Sequence, residues 1–369
     1  ACSKPESPPP ATQFFDLMIV NGTVYDGSGG DPFAGDIAIR DDRIVAIGQD
    51  LGVAEQVIDA EGLAVAPGFI NMLSWATESL IEDGRAQSDV RQGVTLEVMG
   101  EGWSMGPVNE AMKAEALQRQ GDIQYDITWT TLGEYLQYLE DKGVSPNVAS
   151  FGGATTVRIH ELGFEDRAPT SEELERMRDL VRTAMEEGAL GVASSLIYPP
   201  AFFADTEELI ALNEVVAEFG GRYISHMRSE GAALNQAVDE LITIAREAGV
   251  GAEIYHLKAA GVENFGKLDR VFEQIETARA EGLDITADMY TYTAGATGLG
   301  ASMPPWVQEG GFNAWAERLQ DPAIRERLIE EISTPTDQWE NFYLMSGGPE
   351  NILLSGFKNP DLKPLTGKT

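Results

Sequence analysis

Three side chains carry the strongest chemical signal in this sequence. His226 closes the apolar run Tyr223-Ile224-Ser225-His226, and His256 closes Ala252-Glu253-Ile254-Tyr255-His256. They are two of only three histidines in the chain, and each ends a strand-like run, one strand-plus-helix period apart. Neutral imidazoles converging on one point are the commonest way to hold Zn²⁺ in a hydrolase. Either histidine alone would more often be a hydrogen-bonded core residue; the repeated placement favours a metal. A catalytic zinc usually keeps three protein ligands and one open position. The third candidate is Glu101, in Val98-Met99-Gly100-Glu101-Gly102-Trp103, where flanking glycines allow the sharp bend that turns a carboxylate inward. Its bland alternative is a solvated loop acid. Cys2 is the single cysteine, so an internal disulfide and thiolate ligation in the core are excluded. The expectation is a Zn²⁺ held by Glu101, His226 and His256.

Other groups share the same rim. Arg228 follows His226 by two residues and Lys258 follows His256 by two; a cation there suits a substrate carboxylate, with Arg offering a bidentate fork. The alternative is an ordinary rim ion pair. Tyr198, in Leu196-Ile197-Tyr198-Pro199-Pro200, and Tyr290 and Tyr292, after the run to Asp288, either pack or present a phenol that polarises a carbonyl. Asp288 reads as a base or, more readily, as a partner that orients a metal-bound histidine. His160 lies in a loop-like stretch past the third strand and is read as structural or surface.

These residues need a scaffold that gathers strand ends. Amphipathic helices stop at Gly188, Gly220-Gly221, Gly249 and Gly282, and a short apolar strand follows each; a glycine suits the left-handed residue that closes a helix. Leu234, Val238, Leu241, Ile242 and Ala245 recur every three or four residues along 231–248, one apolar helix face. Thr170-Ser171-Glu172-Glu173 is a capping-box pattern. Repeats of about 30 residues mean parallel strands with helical crossovers, and such barrels place chemistry at the C-terminal strand ends. Counting strands at 64–70, 94–99 and 147–152 with the four later ones gives about seven of the eight in a (β/α)8-type TIM barrel; Asn351-Ile352-Leu353-Leu354-Ser355 offers a further short strand. The barrel is therefore expected to be incomplete, with an open edge. Before it, 14–66 reads as a small β-domain of short strands, with Asn21-Gly22 as a hairpin signal. Three segments result: a flexible tail 1–13, the β-domain 14–66 and the barrel 67–369.

A chain of 369 residues, 43% hydrophobic and 8% aromatic, can bury a sizeable core. Its formal net charge of −34 repels nucleic acid and anionic membranes and excludes them as direct partners. The start, Ala1-Cys2-Ser3-Lys4 before a Ser/Pro-rich tract, resembles a processed bacterial lipoprotein with Cys2 as the lipidated residue, facing the periplasm from the cell envelope. No later apolar run reaches the roughly 18–20 residues of a membrane helix, so any attachment is expected through lipid alone.

From Asp16-Leu17 through Asn21-Gly22-Thr23-Val24-Tyr25-Asp26-Gly27, Ala66-Pro67-Gly68-Phe69-Ile70 and Gly93-Val94-Thr95, the sequence resembles the D-aminoacylases (N-acyl-D-amino-acid deacylases) of the amidohydrolase superfamily. The resemblance continues in Leu196 to Pro200, Ser225-His226-Met227-Arg228-Ser229-Glu230-Gly231, His256 to Gly261 and Thr286 to Thr293. It implies a β-sandwich beside the barrel and hydrolysis of the N-acyl amide of N-acyl-D-amino acids, with a metal-bound hydroxide as nucleophile. It also implies His226 and His256 as metal ligands, and Tyr198, Arg228, Lys258, Tyr290 and Tyr292 in substrate-facing motifs. Three departures stand out. The family's His-x-His is replaced by Asn71-Met72-Leu73-Ser74-Trp75, which argues against a second metal. The family's cysteine ligand is absent, with Glu101 in its neighbourhood. The general-base aspartate of the eighth strand is expected beyond Thr369, and without it little deacylase activity is expected. Two alternatives stay open: a hydrolase of another amide or a D-residue dipeptide, and a non-catalytic, lipid-anchored binding protein on the same scaffold.

Overall fold

The computed structural model describes residues 13–369; Cys2 and the rest of the tail to residue 12 lie outside the described residues. The chain divides into two compact units, one ending at Phe69 and the other running Ile70–Thr369.

In the first unit, alternation of apolar and polar residues makes five strands: β1 (Phe14–Val24), β2 (Phe33–Arg40), β3 (Arg43–Gly48), β4 (Val53–Asp59) and β5 (Ala64–Val65). They form one sheet, ordered β3-β2-β1-β4 with β5 also on β1. Phe15, Met18 and Ala38 are its buried core. Asn21-Gly22 is not a hairpin turn. β1 runs straight through it, Asn21 takes φ +58°, and the pairing with β2 shifts between Ile19 and Gly22, which is a β-bulge. Asn21 is held there by Asp36, which accepts its N–H at 3.0 Å, and by Asp59, which accepts its side-chain amide at 3.0 Å. The tight turn lies instead at Asp41, φ +53°, between β2 and β3.

The second unit is parallel α/β. Its strands are β6 (Phe69–Asn71), β7 (Val94–Met99), β8 (Asn147–Ser150), β9 (Gly152–Gly153), β10 (Gly191–Ser195), β11 (Arg222–His226), β12 (Gly251–Ile254) and β13 (Ile285–Ala287). One sheet is ordered β6-β7-β8 and the other β9-β10-β11-β12-β13. Only Phe151 separates β8 from β9, so the chain carries one sheet into the next. Pairs β7–β8 and β9 through β13 are parallel. The expected strand at 64–70 is divided: Ala64–Val65 pairs with β1, and Phe69–Asn71 pairs beside β7. Asn351 to Ser355 forms no strand; Pro349–Asn351 is a 3-10 turn followed by irregular backbone, as its proline and polar flanks favour. Among the described residues β13 has a neighbour on one side only.

Helices cover these strands with the apolar faces that their residue spacing predicts. Leu234–Ala248 buries Leu234, Val238, Leu241, Ile242 and Ala245 and ends at Gly249, φ +73°. Ser171–Glu186 starts with a closed capping box between Thr170 and Glu173. Met177, Val181, Leu209, Leu212 and Val216 from neighbouring helices join one continuous core with strand residues Val192, Tyr223, Ala252 and Ile254. His160 sits in the helix Ala154–Leu162, not in a loop, with Nδ1 2.9 Å from Glu161 Oε1. No helix among the described residues is long and apolar enough to cross a membrane.

Leu241 is 2% exposed, so Leu241→Ala is predicted to cost about 2–5 kcal/mol through lost burial and a cavity. Urea denaturation measures this; a loss below about 1 kcal/mol would show that the helix is not held by that face.

Candidate metal centre

Parallel pairing fixes where the strand ends fall. His226 is the last residue of β11, opposite Ser195 of β10. His256 lies two residues beyond β12, Asp288 one beyond β13 and Glu101 two beyond β7. All are therefore on the same C-terminal rim, and three of them meet. Glu101 Oε1 is 3.0 Å from His226 Nδ1 and 3.1 Å from His256 Nε2. The two rings stand edge to face, centroids 4.5 Å apart. All three residues are buried, and their ligand atoms lie within 4.8 Å of one another.

The backbone around Glu101 and His256 is bent for this purpose. Gly100 and Gly102 take φ +107° and +68°, and a Cβ on Gly102 would lie 2.5 Å from Ser195 Oγ. That hydroxyl donates to the Glu101 carbonyl at 2.9 Å. His256 is a non-glycine residue at φ +39°, a conformation that persists only where its surroundings impose it. Asp288 imposes it by accepting the His256 backbone N–H on Oδ1 at 2.6 Å. Asp288 thus orients the histidine through the main chain, while its Oδ2 is buried without a hydrogen-bond partner.

Two further residues, Glu230 and Trp75, complete the centre, and the sequence did not single them out. Glu230 Oε1 is 2.8 Å from His256 Nδ1 and 2.6 Å from Lys258 Nζ; such a carboxylate behind an imidazole fixes its tautomer and raises its basicity. Its one signal was its place in the loop after His226, shared with many solvated acids. The loop itself is held by Glu340, which accepts from the Ser229 hydroxyl and from the N–H groups of Glu230 and Gly231 at 3.2 and 3.3 Å. Trp75 donates its indole N–H to Glu101 Oε2 at 2.7 Å.

The charges follow from these contacts. Burial alone would raise the Glu101 carboxyl, but the hydrogen bonds from His226 and His256 prevail and hold it at about 2. Glu230, likewise resisting burial, is held at about 2 by the nearby imidazoles and Lys258. Burial opposes the charge on His256, yet the bonds to Glu101 and Glu230 lift it to about 9. Burial pushes Asp288 up to about 6, and Tyr198 up to about 12.

The remaining expected residues divide. The Tyr198 ring lies 5.3 Å from the His226 ring, with its hydroxyl 2.8 Å from Thr297 Oγ1. Lys258 Nζ reaches His256 Nδ1 and its carbonyl, both at 3.0 Å, and stands 5.3 Å from the Tyr290 ring. The Tyr290 ring is 6.3 Å from His256. Tyr292 is 79% exposed, with its ring 6.3 Å from that of Tyr290. Arg228 points elsewhere: it makes a bidentate pair with Glu240 and donates to the carbonyls of Phe202 and Ala204. That is the rim ion pair, and it leaves little of the guanidinium for a substrate.

Two imidazole nitrogens and one carboxylate oxygen are the donor set of a catalytic zinc with an open position. A further buried polar atom, His226 Nε2, has no hydrogen-bond partner. The residues therefore fit a divalent cation. A parallel α/β unit with such a cluster on its C-terminal rim is of the kind that hydrolases built on metal centres use. No family model matches the chain, but individual relatives do. It is 36% identical to a D-aminoacylase of Alcaligenes xylosoxydans xylosoxydans over 294 residues, 78% of this chain and 60% of that protein. It is 34% identical to an N-acyl-D-glutamate deacylase of the same organism over 286 residues, 76% of this chain and 58% of that one. The crystal structure of N-acyl-D-glutamate deacylase from Bordetella bronchiseptica, complexed with zinc and a phosphonate inhibitor, superposes with TM-score 0.68 at 30% identity, over 76% of this chain and 59% of that chain. A D-aminoacylase structure described as having a binuclear metal centre, with one-metal activation and second-metal attenuation, gives 0.69 at 32%, over 76% and 59%. Over the matched span the chain is similar to the D-aminoacylases and N-acyl-D-amino-acid deacylases, and it spans about three fifths of the length of the curated relatives it matches.

The pKa shifts set a pH window for the protein freed of divalent ions. The carboxylates of Glu101 and Glu230, lowered from 4.5 to about 2, stabilise fully above pH 4.5 and lose this as pH falls toward 2. His256, raised from 6.5 to about 9, stabilises fully below pH 6.5 and loses this as pH rises through 9. Melting temperature in chelator is therefore predicted to fall between pH 6.5 and 9, and Glu230→Gln to draw that fall to lower pH. A melting temperature unchanged across that interval would contradict the assignment.

Proposed function

We propose that the protein hydrolyses the N-acyl amide bond of N-acyl-D-amino acids, using one Zn²⁺ held by Glu101, His226 and His256. The observation that carries this is the convergence of those three buried ligand atoms on one rim; the deacylase relatives supply the substrate class. A (β/α)8-type barrel, of which this chain carries about seven strands, with a small N-terminal β-sandwich goes with this reading, supported by the parallel succession from β7 to β13 and by the deacylase relatives. A single metal is supported by the stretch Asn71-Met72-Leu73-Ser74-Trp75, which has no histidine.

A divalent cation in such a site polarises an amide carbonyl and makes water acidic enough to act as nucleophile. The chain's own residues do the rest. Glu230 holds the His256 ring, Asp288 holds its backbone, and Lys258 neutralises Glu230 beside the rim. Tyr198 keeps its proton, since burial holds its phenol near 12, and so is a hydrogen-bond donor for a carbonyl oxygen. Lys258 Nζ lies 5.3 Å from the Tyr290 ring beside the rim, where both could contact a substrate.

The test is hydrolysis of N-acetyl-D-amino acids against their L-enantiomers, with metal content measured on the same sample. For the full-length protein, D-selective turnover with bound zinc is expected, abolished by chelation and reduced at least about 100-fold in His226→Ala. D-residue dipeptide turnover in place of N-acyl amides would move the substrate class. The missing His-x-His also favours a second reading, a non-catalytic binder: metal-free protein that binds N-acyl-D-amino acids without turnover would establish it.

A further inference from the structure

Trp75 is the least expected member of the centre. It lies 26 residues before Glu101 in sequence and belongs to no strand. The backbone N–H of Ser74 donates to the Val98 carbonyl at 2.8 Å, which docks this segment against β7 and delivers Trp75 to the rim. There the indole N–H meets Glu101 Oε2 at 2.7 Å, while Oε1 faces both imidazoles. The residue is 61% exposed, so the contact is not a by-product of burying a large ring in the core. A tryptophan that leaves most of its apolar surface in water while committing its single polar atom is held by that hydrogen bond.

We infer that Trp75 is a positioning residue that fixes Glu101 as a one-oxygen ligand and restricts the centre to a single cation, an inference that rests on the metal reading above. An indole N–H only donates; it has no lone pair to offer a metal. With Oε2 engaged by it, Glu101 presents one oxygen to the two histidines. It can neither chelate through both oxygens nor bridge to a second ion on the Trp75 side. The same hydrogen bond orients the carboxylate before any ion arrives, and partners of this kind change metal affinity by about 10–100-fold. Phenylalanine in its place keeps an aromatic ring and removes only the donor. Histidine there, with a second at Leu73, replaces the donor by ring nitrogens and restores a His-x-His spacing in this segment.

Purified wild type, Trp75→Phe and the double variant Leu73→His/Trp75→His are titrated with Zn²⁺ against a chromophoric chelator, and bound metal is counted by atomic emission. Melting curves confirm that each variant is folded. Co²⁺ titration followed by tryptophan fluorescence gives a readout independent of turnover, because an indole on a ligand oxygen is quenched on binding. The expected result is one zinc in wild type, affinity weakened about 10–100-fold in Trp75→Phe with most of the Co²⁺ quenching lost, and a second zinc in the double variant. Wild-type affinity and quenching in Trp75→Phe, or two zinc ions in wild type, would overturn the role of Trp75 while leaving the metal reading intact. No zinc in wild type would instead sink the metal reading, and this inference with it.

Discussion

One carboxylate oxygen shared by two imidazoles organises the second unit. Glu101 Oε1 is within 3.1 Å of both His226 Nδ1 and His256 Nε2, and these residues come from three different strand ends. Nothing local in the chain favours that meeting. A buried carboxylate and two buried imidazoles each resist leaving water, and only mutual contact offsets the cost. The glycines beside Glu101, the left-handed His256 and the carboxylates behind it are all arrangements that let this one contact form.

Around it runs a second ring of anions: Glu230 on the His256 ring, Asp288 on the His256 backbone and Glu340 on the loop that carries Glu230. Among the described residues Lys258 is the one lysine or arginine paired with this ring, through Glu230. The centre is thus richer in negative than in positive charge, which suits a site completed by a small cation. It also explains why His256, though buried, favours its protonated form when it stands without one.

Much of this was legible in the sequence, and the rest was not for definable reasons. His226 and His256 were readable because each closes an apolar run, and parallel strands put such ends on one rim. Glu101 was readable from its two glycines. The helix faces and the capping box were readable because they are written in local spacing. Trp75 and Glu230 were not, since their importance lies in single hydrogen bonds to residues distant in the chain. Arg228 is engaged by Glu240, twelve residues on, a pairing that strand alternation does not reveal. Asn21-Gly22 has the composition of a turn, but Asp36 and Asp59 captured it as a bulge. Ile352 to Leu354 has the composition of a strand yet found no neighbour to pair with.

The hold of Asp288 on His256 has a dynamic consequence. His256 keeps its left-handed backbone only while the residue after β13 stays in register with β12, and β13 is paired on one side among the described residues. Strand pairs with a single neighbour open more easily than those flanked on both sides. Each such opening would withdraw the carboxylate from the His256 N–H, and the backbone would relax toward ordinary torsion angles. The converged geometry therefore depends on the β12–β13 pair as well as on the centre's own contacts. A contact between the two segments that follow these strands, Asp288 on the His256 N–H, thus ties the centre to the register of a strand pair that contributes no side chain to it.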